Sequence, residues 1–320
     1  MRGPQASGVA GVDIGGTKIA AVLVDESGRI VARASAPAPA QEGGPAMADA
    51  AARLVIQTAA ASGHRLVAVG VGAAGVIDHI TGIVRAASAT FVGWAGFPLG
   101  DELAARLGVP VRVENDVNAF LLGEVGADDV ADDDVLGIML GTGVGGAVLL
   151  DGRLRHGPHG AAGEIGHTPG YGDIVCTCGQ VGHLETLASG TSIGLRYAER
   201  TGRAGHDARA VAEHARQGDA DAAAVFSAAG RALALACATA AGILDIGRAI
   251  VGGGVVQAWD LLEPAIRETL AVDSPVSGAP LSITPARLGA DAVALGAAAA
   301  ARRAIVSRTD QHPRAEGEAA

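Results

Sequence analysis

Two segments of this chain repeat one pattern: an apolar run, a glycine-rich break and a second apolar run. Residues 9–14 lead into Gly15-Gly16 and resume at 19–24; residues 135–140 lead into Gly141-Thr142-Gly143-Val144-Gly145-Gly146 and resume at 147–150. Short β-branched and leucine-rich runs on either side of a glycine loop predict the two strands of a hairpin. The first copy turns again at residues 25–28, and the second has a hairpin turn at Asp151-Gly152. Two such openings within 320 residues predict two related α/β lobes, each built on a meander with a glycine loop inside it.

The rest of the chain fills in the lobes. Residues 46–61 and 99–107 have helical character, 66–71 and 111–113 read as buried strands, and 118–125 continues as a helix. Asp128, Asp129, Asp132, Asp133 and Asp134 follow; they lack the glycine and terminal glutamate of a calcium loop and read as a solvated linker. The expected division is a smaller lobe of residues 1–126 plus about 292–308, a larger lobe of 127–291, and a disordered tail at 309–320. Helices are expected through 192–244, a strand at 249–251 before Gly252-Gly253-Gly254, and a helix at about 292–304 that packs on the first lobe.

Composition removes several function classes. Apolar residues make up 49% but aromatics only 2%, so the core must rest on Ala, Val, Leu and Ile. The formal net charge is -10 and no basic run is present, so the footprint of a nucleic-acid binder is missing. The apolar run at 232–244 is shorter than the ~20 residues a bilayer requires and reads as a buried helix. Residues 1–8 lack the apolar stretch of a signal peptide. A protein with no membrane partner, in a reducing cytoplasm that suits its three cysteines, is the expectation. Cys176 and Cys178 flank one residue and suit a metal better than a bridge, while Cys237 reads as a small core residue. His64, His79, His156, His159, His206, His214 and His312 lie in polar or irregular stretches and read as surface residues.

The glycine loops carry the first chemical signal. Residues 141–146 fit G-x-G-x-x-G, but a dinucleotide fingerprint needs a helix straight after it and 147–150 reads as a strand. Gly15-Gly16-Thr17-Lys18 lacks Walker spacing and is also followed by a strand. What remains is a backbone that phosphate oxygens can approach without a Cβ in the way. Gly15, Gly16, Gly141 and Gly143, with Gly253 and Gly254, supply that freedom; Thr17 and Thr142 add hydroxyls and Lys18 a charge. Asp13, just before the first loop, suits Mg2+ held through water. One such loop reads as a tight hairpin; two matched loops read as phosphate and nucleotide binding.

Four motifs then combine. Asp13-Ile14-Gly15-Gly16-Thr17-Lys18, Glu114-Asn115-Asp116-Val117-Asn118-Ala119, Gly141-Thr142-Gly143-Val144-Gly145-Gly146 and Gly163-Glu164-Ile165-Gly166-His167, in that order, resemble the ROK family of bacterial sugar kinases and repressors. Ile250-Val251-Gly252-Gly253-Gly254-Val255 resembles its adenosine-side motif, so the resemblance spans about residues 9–303. It implies two ribonuclease-H-like α/β lobes of the actin and hexokinase superfamily around a nucleotide- and sugar-binding cleft, in a homodimer or homotetramer. It implies ATP with Mg2+, and Asp116 as the base that takes the sugar hydroxyl proton. Asn115, Glu164, His167 and Glu185 would hold sugar hydroxyls. The chemistry agrees: a neutral hydroxyl needs a nearby carboxylate, and carboxylates and amides suit a polyol. Asp116 after the 111–113 strand also reads as a helix N-cap.

The family's usual Cys-x-Cys-Gly-x-x-Gly-Cys-x-Glu zinc element appears here as Cys176-Thr177-Cys178-Gly179-Gln180-Val181-Gly182-His183-Leu184-Glu185. With His167, the set is His167, Cys176, Cys178 and His183, a tetrahedral His2Cys2 shell for a structural zinc that closes the loop carrying Glu185. A second departure lies before Gly93-Trp94, where Ala89-Thr90 stands for the Pro-Asn of related glucokinases. Glucose is the expected sugar, with N-acetylmannosamine as the leading alternative and fructose or N-acetylglucosamine behind. A sugar-responsive repressor of the same family would need a DNA-binding domain before residue 9, so an enzyme is expected.

Overall fold

The computed structural model describes residues 5–127 and 134–311, with side chains through 305. Four of the five clustered aspartates, Asp128, Asp129, Asp132 and Asp133, lie outside the described residues. Asp134 is described, and its carboxylate accepts the Asp151 backbone N–H at 2.7 Å. The chain divides into two compact units, Met1–Asp128 with Ala290–Ala320, and Asp129–Gly289.

The first unit opens with a meander, β1 (Ser7–Ile14), β2 (Lys18–Val24) and β3 (Ile30–Pro37). Helix α1 (Gly44–Ser62) leads to β4 (Arg65–Ala73), a small hairpin of β5 (Val76–Asp78) and β6 (Ile83–Ala86), α2 (Leu99–Leu107), β7 (Val111–Asn115) and α3 (Asp116–Gly126). Its sheet runs β3-β2-β1-β4-β7, antiparallel through the meander and parallel from β1 to β4 and β7. The second unit repeats the plan. Its meander is β8 (Val135–Leu140), β9 (Val144–Leu150) and β10 (Arg153–Leu154). Helices α4 (Glu185–Ala188), α5 (Gly190–Thr201), α6 (Ala208–Arg216) and α7 (Ala220–Leu244) follow, then β11 (Arg248–Gly252), α8 (Trp259–Val272) and β12 (Ser282–Pro285). The sheet order β10-β9-β8-β11-β12 has the same alternation of antiparallel and parallel pairs. Helix α9 (Ala292–Gln311) returns to the first unit.

The alanine-rich composition decides how α9 packs. Gly11 on β1 and Gly70 on β4 face its backbone so closely that a Cβ on either would collide with the carbonyls of Ala294 and Ala297. Small residues on both partners let helix and sheet approach at backbone distance, which compensates for the scarcity of aromatic volume.

Several sequence expectations need correction. The second glycine loop ends at Gly143, because Gly145 and Gly146 pair across β8 as part of β9. The helices expected through 192–244 are three: Gly202 takes a left-handed conformation that ends α5, and Asp207 and Asp219 cap α6 and α7. Helix α7 has 25 residues, longer than its most apolar stretch suggested. It is long and apolar enough by composition to cross a membrane, yet more than half of its most apolar window is buried within the protein. Residues 309–311, expected in the tail, belong to α9; 312–320 lie outside the described residues. Of the histidines read as surface residues, His159 is exposed and His64, His79, His156, His206 and His214 are half-buried, the last two packing around the buried Tyr197 ring with centroids 5.5 and 5.6 Å away. Cys237 is buried as expected, and burial pushes its thiol up to about 12.

Candidate functional site

In the first unit the residues expected to form the site stand at the ends of β1, β2 and β7. The β1–β2 pairing closes at Ile14 and Ile19, leaving Gly15, Gly16 and Thr17 as the turn before Lys18. The Gly15 N–H donates to the Lys18 carbonyl at 3.1 Å, and Thr17 and Lys18 are exposed. Burial pushes the Asp13 carboxyl from an ordinary 3.8 up to about 6, with Lys18 opposing. Among the described residues no hydrogen bond reaches that carboxylate. A half-sheltered carboxylate beside a glycine turn, short of donors, fits a hydrated divalent cation.

At the end of β7, Asn115 rather than Asp116 caps α3. Its Oδ1 accepts the N–H groups of Val117 and Asn118 at 2.9 and 3.2 Å, and its Nδ2 donates to the Gly75 carbonyl at 2.9 Å. The strand leaves Asn115 extended, which is the cap conformation, and the asparagine amide satisfies two donors of the first turn. Asp116 is then the first helical residue, half-buried, with Oδ1 3.0 Å from the Val117 N–H. Because Asn115 spends both acceptor positions on the turn, one amide hydrogen remains for any ligand.

In the second unit the β8–β9 turn is Gly141-Thr142-Gly143, closed by Gly141 N–H to Gly143 carbonyl at 2.9 Å. Its ends are held from the segment after the 176–183 loop. The Gly190 N–H donates to the Gly141 carbonyl at 2.7 Å, and Glu185 Oε2 accepts the Val144 N–H at 3.0 Å. Gly143 leaves room for that second contact, since a Cβ there would lie 2.5 Å from Glu185 Oε2 and the carboxylate would have to shift. This revises the reason for the glycine, which is room for a carboxylate behind the turn rather than only access for phosphate. A cavity of about 1180 Å³ opens beside the turn, lined by Gly141, Thr142, Gly190, Thr191, His206 and Gly254 among others. Gly253, with φ 90°, is the turn from β11 into that lining. Ser189-Gly190-Thr191 and the 202–207 loop were missed in the sequence; the serine cap before α5 is the signal that marks them.

Glu164 precedes a 3-10 turn at Ile165–His167 that lies on β9. Gly163, with φ 93°, packs there so tightly that a Cβ would come 2.7 Å from the Gly146 carbonyl. Burial raises the Glu164 carboxyl above the usual range; His167 opposes that shift and Glu185 adds to it. The turn delivers His167 to Cys176, Cys178 and His183, whose ligand atoms all lie within 4.8 Å of one another. His167 Nδ1 is 3.3 Å from His183 Nδ1 and 3.7 Å from Cys176 Sγ, and Cys178 Sγ is 3.3 Å from His183 Nδ1. Tetrahedral zinc with bonds of ~2.0 Å to nitrogen and ~2.3 Å to sulfur places its ligands about 3.3–3.8 Å apart, so the donor set fits. His183 is buried, which agrees with a ligand and excludes a solvent-facing imidazole.

The profile of the ROK family matches residues 9–304. A glucokinase of Halalkalibacterium halodurans is 36% identical over 312 residues, 89% of this chain and 92% of that protein. An N-acetylmannosamine kinase of Salmonella typhimurium is 34% identical over 292 residues, 90% of this chain and 96% of that protein. Among solved structures, a ROK family glucokinase of Streptomyces griseus in complex with glucose and AMPPNP is 35% identical, with a TM-score of 0.79 over 93% of this chain and all of that one.

Proposed function

This chain belongs to the ROK family and is a sugar kinase, and from that premise we propose that it transfers the terminal phosphoryl group of ATP to the 6-hydroxyl of glucose. The observation that carries the reading is Asp116: a half-buried carboxylate set at the first position of α3 by the Asn115 cap. In this reading Asp116 takes the proton from the sugar hydroxyl as its oxygen attacks the γ-phosphorus, and the bond to the β-phosphate oxygen breaks, releasing ADP. Asn115, Glu164, His167 and Glu185 hold the sugar, His167 through Nε2, the ring nitrogen its metal-loop contacts leave free. The turns at Gly15-Gly16-Thr17-Lys18 and Gly141-Thr142-Gly143, with Gly253 and Gly254, receive the nucleotide. Asp13 is the residue for Mg2+, which neutralises phosphate charge when bound. His167, Cys176, Cys178 and His183 hold a structural zinc that shapes the loop leading to Glu185. We place the protein in the cytoplasm as a homodimer or homotetramer, a state light scattering resolves.

The sugar itself is the finer question. Relatives at 36% and 34% identity are a glucokinase and an N-acetylmannosamine kinase. Thr90 supports relaxed choice, since its methyl stands against Gly16, where a Cβ would come within 2.8 Å. A hydroxyl in place of an amide offers fewer hydrogen bonds with which to tell one hexose from another. Steady-state kinetics with glucose, mannose, fructose, N-acetylmannosamine and N-acetylglucosamine test this. Glucose is expected to have the highest kcat/KM with measurable turnover of a second hexose; a preference above ~10⁴ over every other sugar would contradict the relaxed site, and a higher value for N-acetylmannosamine would replace glucose.

A further inference from the structure

Glu185 sends its two carboxylate oxygens to different segments of the second unit. Oε2 accepts the Val144 N–H at 3.0 Å, immediately after the Gly141-Thr142-Gly143 turn. Oε1 accepts the Thr177 hydroxyl at 2.8 Å and lies 3.7 Å from Cys176 Sγ. Thr177 stands between the two cysteines of the metal loop. Five residues beyond Glu185, the Gly190 N–H grips the other end of the same turn at the Gly141 carbonyl, 2.7 Å away. The segment from Glu185 to Gly190 therefore clamps both ends of the turn, and Gly141, Thr142 and Gly190 also line the 1180 Å³ cavity.

Thr177 is exposed while Glu185 is buried. Its hydroxyl contributes direction rather than packing: water could satisfy Oε1, but only a group fixed on the metal loop ties the carboxylate to that loop. Charge-assisted hydrogen bonds of this kind are short and strong enough to set a rotamer. The Glu185 rotamer in turn decides whether the Val144 N–H is held, and with it the shape of the turn.

We infer that Thr177 is a positioning residue whose hydroxyl, through Glu185, couples metal occupancy of the Cys176–His183 loop to nucleotide affinity at the Gly141-Thr142-Gly143 turn. The inference rests on reading the loop as a zinc site and the cavity as the nucleotide site. Coupling of this kind is reciprocal, so nucleotide should also tighten zinc by the same factor.

The test uses the full-length protein as wild type, Thr177→Val and Thr177→Ser, each zinc-loaded and zinc-stripped, with a non-hydrolysable ATP analogue titrated by calorimetry. Stripping wild type is expected to weaken the analogue by about tenfold, within the ordinary range of coupling between sites. Loaded Thr177→Val should already be weakened about as much, with full zinc content, and stripping it should add less than about twofold. Thr177→Ser should behave as wild type. An equal effect of stripping in Thr177→Val and wild type would overturn the coupling while leaving the zinc assignment intact. Should the stripped proteins unfold, the loaded variants decide: equal affinities for Val and Ser overturn the inference. Absence of zinc from purified wild type would overturn the metal reading itself, and the coupling with it.

Discussion

In β1–β2 the turn at Gly15, Gly16 and Thr17 is bracketed by its own charges, Asp13 before it and Lys18 after it. In β8–β9 the turn at Gly141, Thr142 and Gly143 carries none, and Glu185 and Gly190, 41 or more residues along the chain, hold its ends. The sheets beneath them have the same strand order and the same mixture of antiparallel and parallel pairs. One scaffold therefore supports two kinds of loop. The first is locally specified; the second depends on a distant segment that is itself hydrogen-bonded to the 176–183 loop through Thr177.

Substitutions separate the two. The largest effect is expected in the first unit: Asp116→Asn should lower kcat by at least ~10²-fold while sugar affinity, by calorimetry, stays nearly unchanged. Turnover within a few-fold of wild type would remove the base from Asp116. In the second unit, Gly143→Val places carbon against Glu185 Oε2, and overpacking worth roughly 1–3 kcal/mol should weaken the ATP analogue about tenfold. Unchanged nucleotide affinity would show that Glu185 does not govern the turn. His183→Ala should lose zinc and raise the sugar KM together, whereas His183→Cys, which restores a ligand, should keep both; metal analysis alongside kinetics reads the result.

The smallest effect is a pH dependence confined to the first turn. The Asp13 carboxyl rises from an ordinary 3.8 in the unfolded chain to about 6 when folded, through burial. Its contribution to stability is therefore present below pH 3.8 and is lost as pH rises through about 6. Asp13→Asn should raise the melting temperature at pH 7.5 but not at pH 4, and should impair Mg2+-dependent turnover. In wild type, kcat/KM should fall on the acid side near pH 6, where Asp13 gains a proton; loss of that limb in a form lacking Asp13 would tie it to this residue, and its persistence would point elsewhere.

How legible each region was follows from the same contrast. The strand–turn–strand openings, α2 and the Asp116 motif are written in local patterns, so the sequence carries them with small errors at the ends. Gly145 and Gly146 read as loop because glycine disfavours strands, yet cross-strand pairing with Met139 and Ile138 overrides that tendency. Helices α5 to α7 are legible as a helical region but not as separate elements, because only Gly202, Asp207 and Asp219 mark the ends. His206 at the cavity had no local signal, since its place comes from packing on Tyr197. The clamp of Glu185 and Thr177 on the second turn is a long-range arrangement that motif spacing does not encode.

Phosphorus NMR of the product tests the central claim most directly. Purified protein incubated with ATP, Mg2+ and glucose should yield ADP and one new phosphate ester on the 6-hydroxyl, with the ester signal strongly reduced in Asp116→Asn. Hydrolysis of ATP without a sugar ester, or an ester formed equally well by Asp116→Asn, would contradict it.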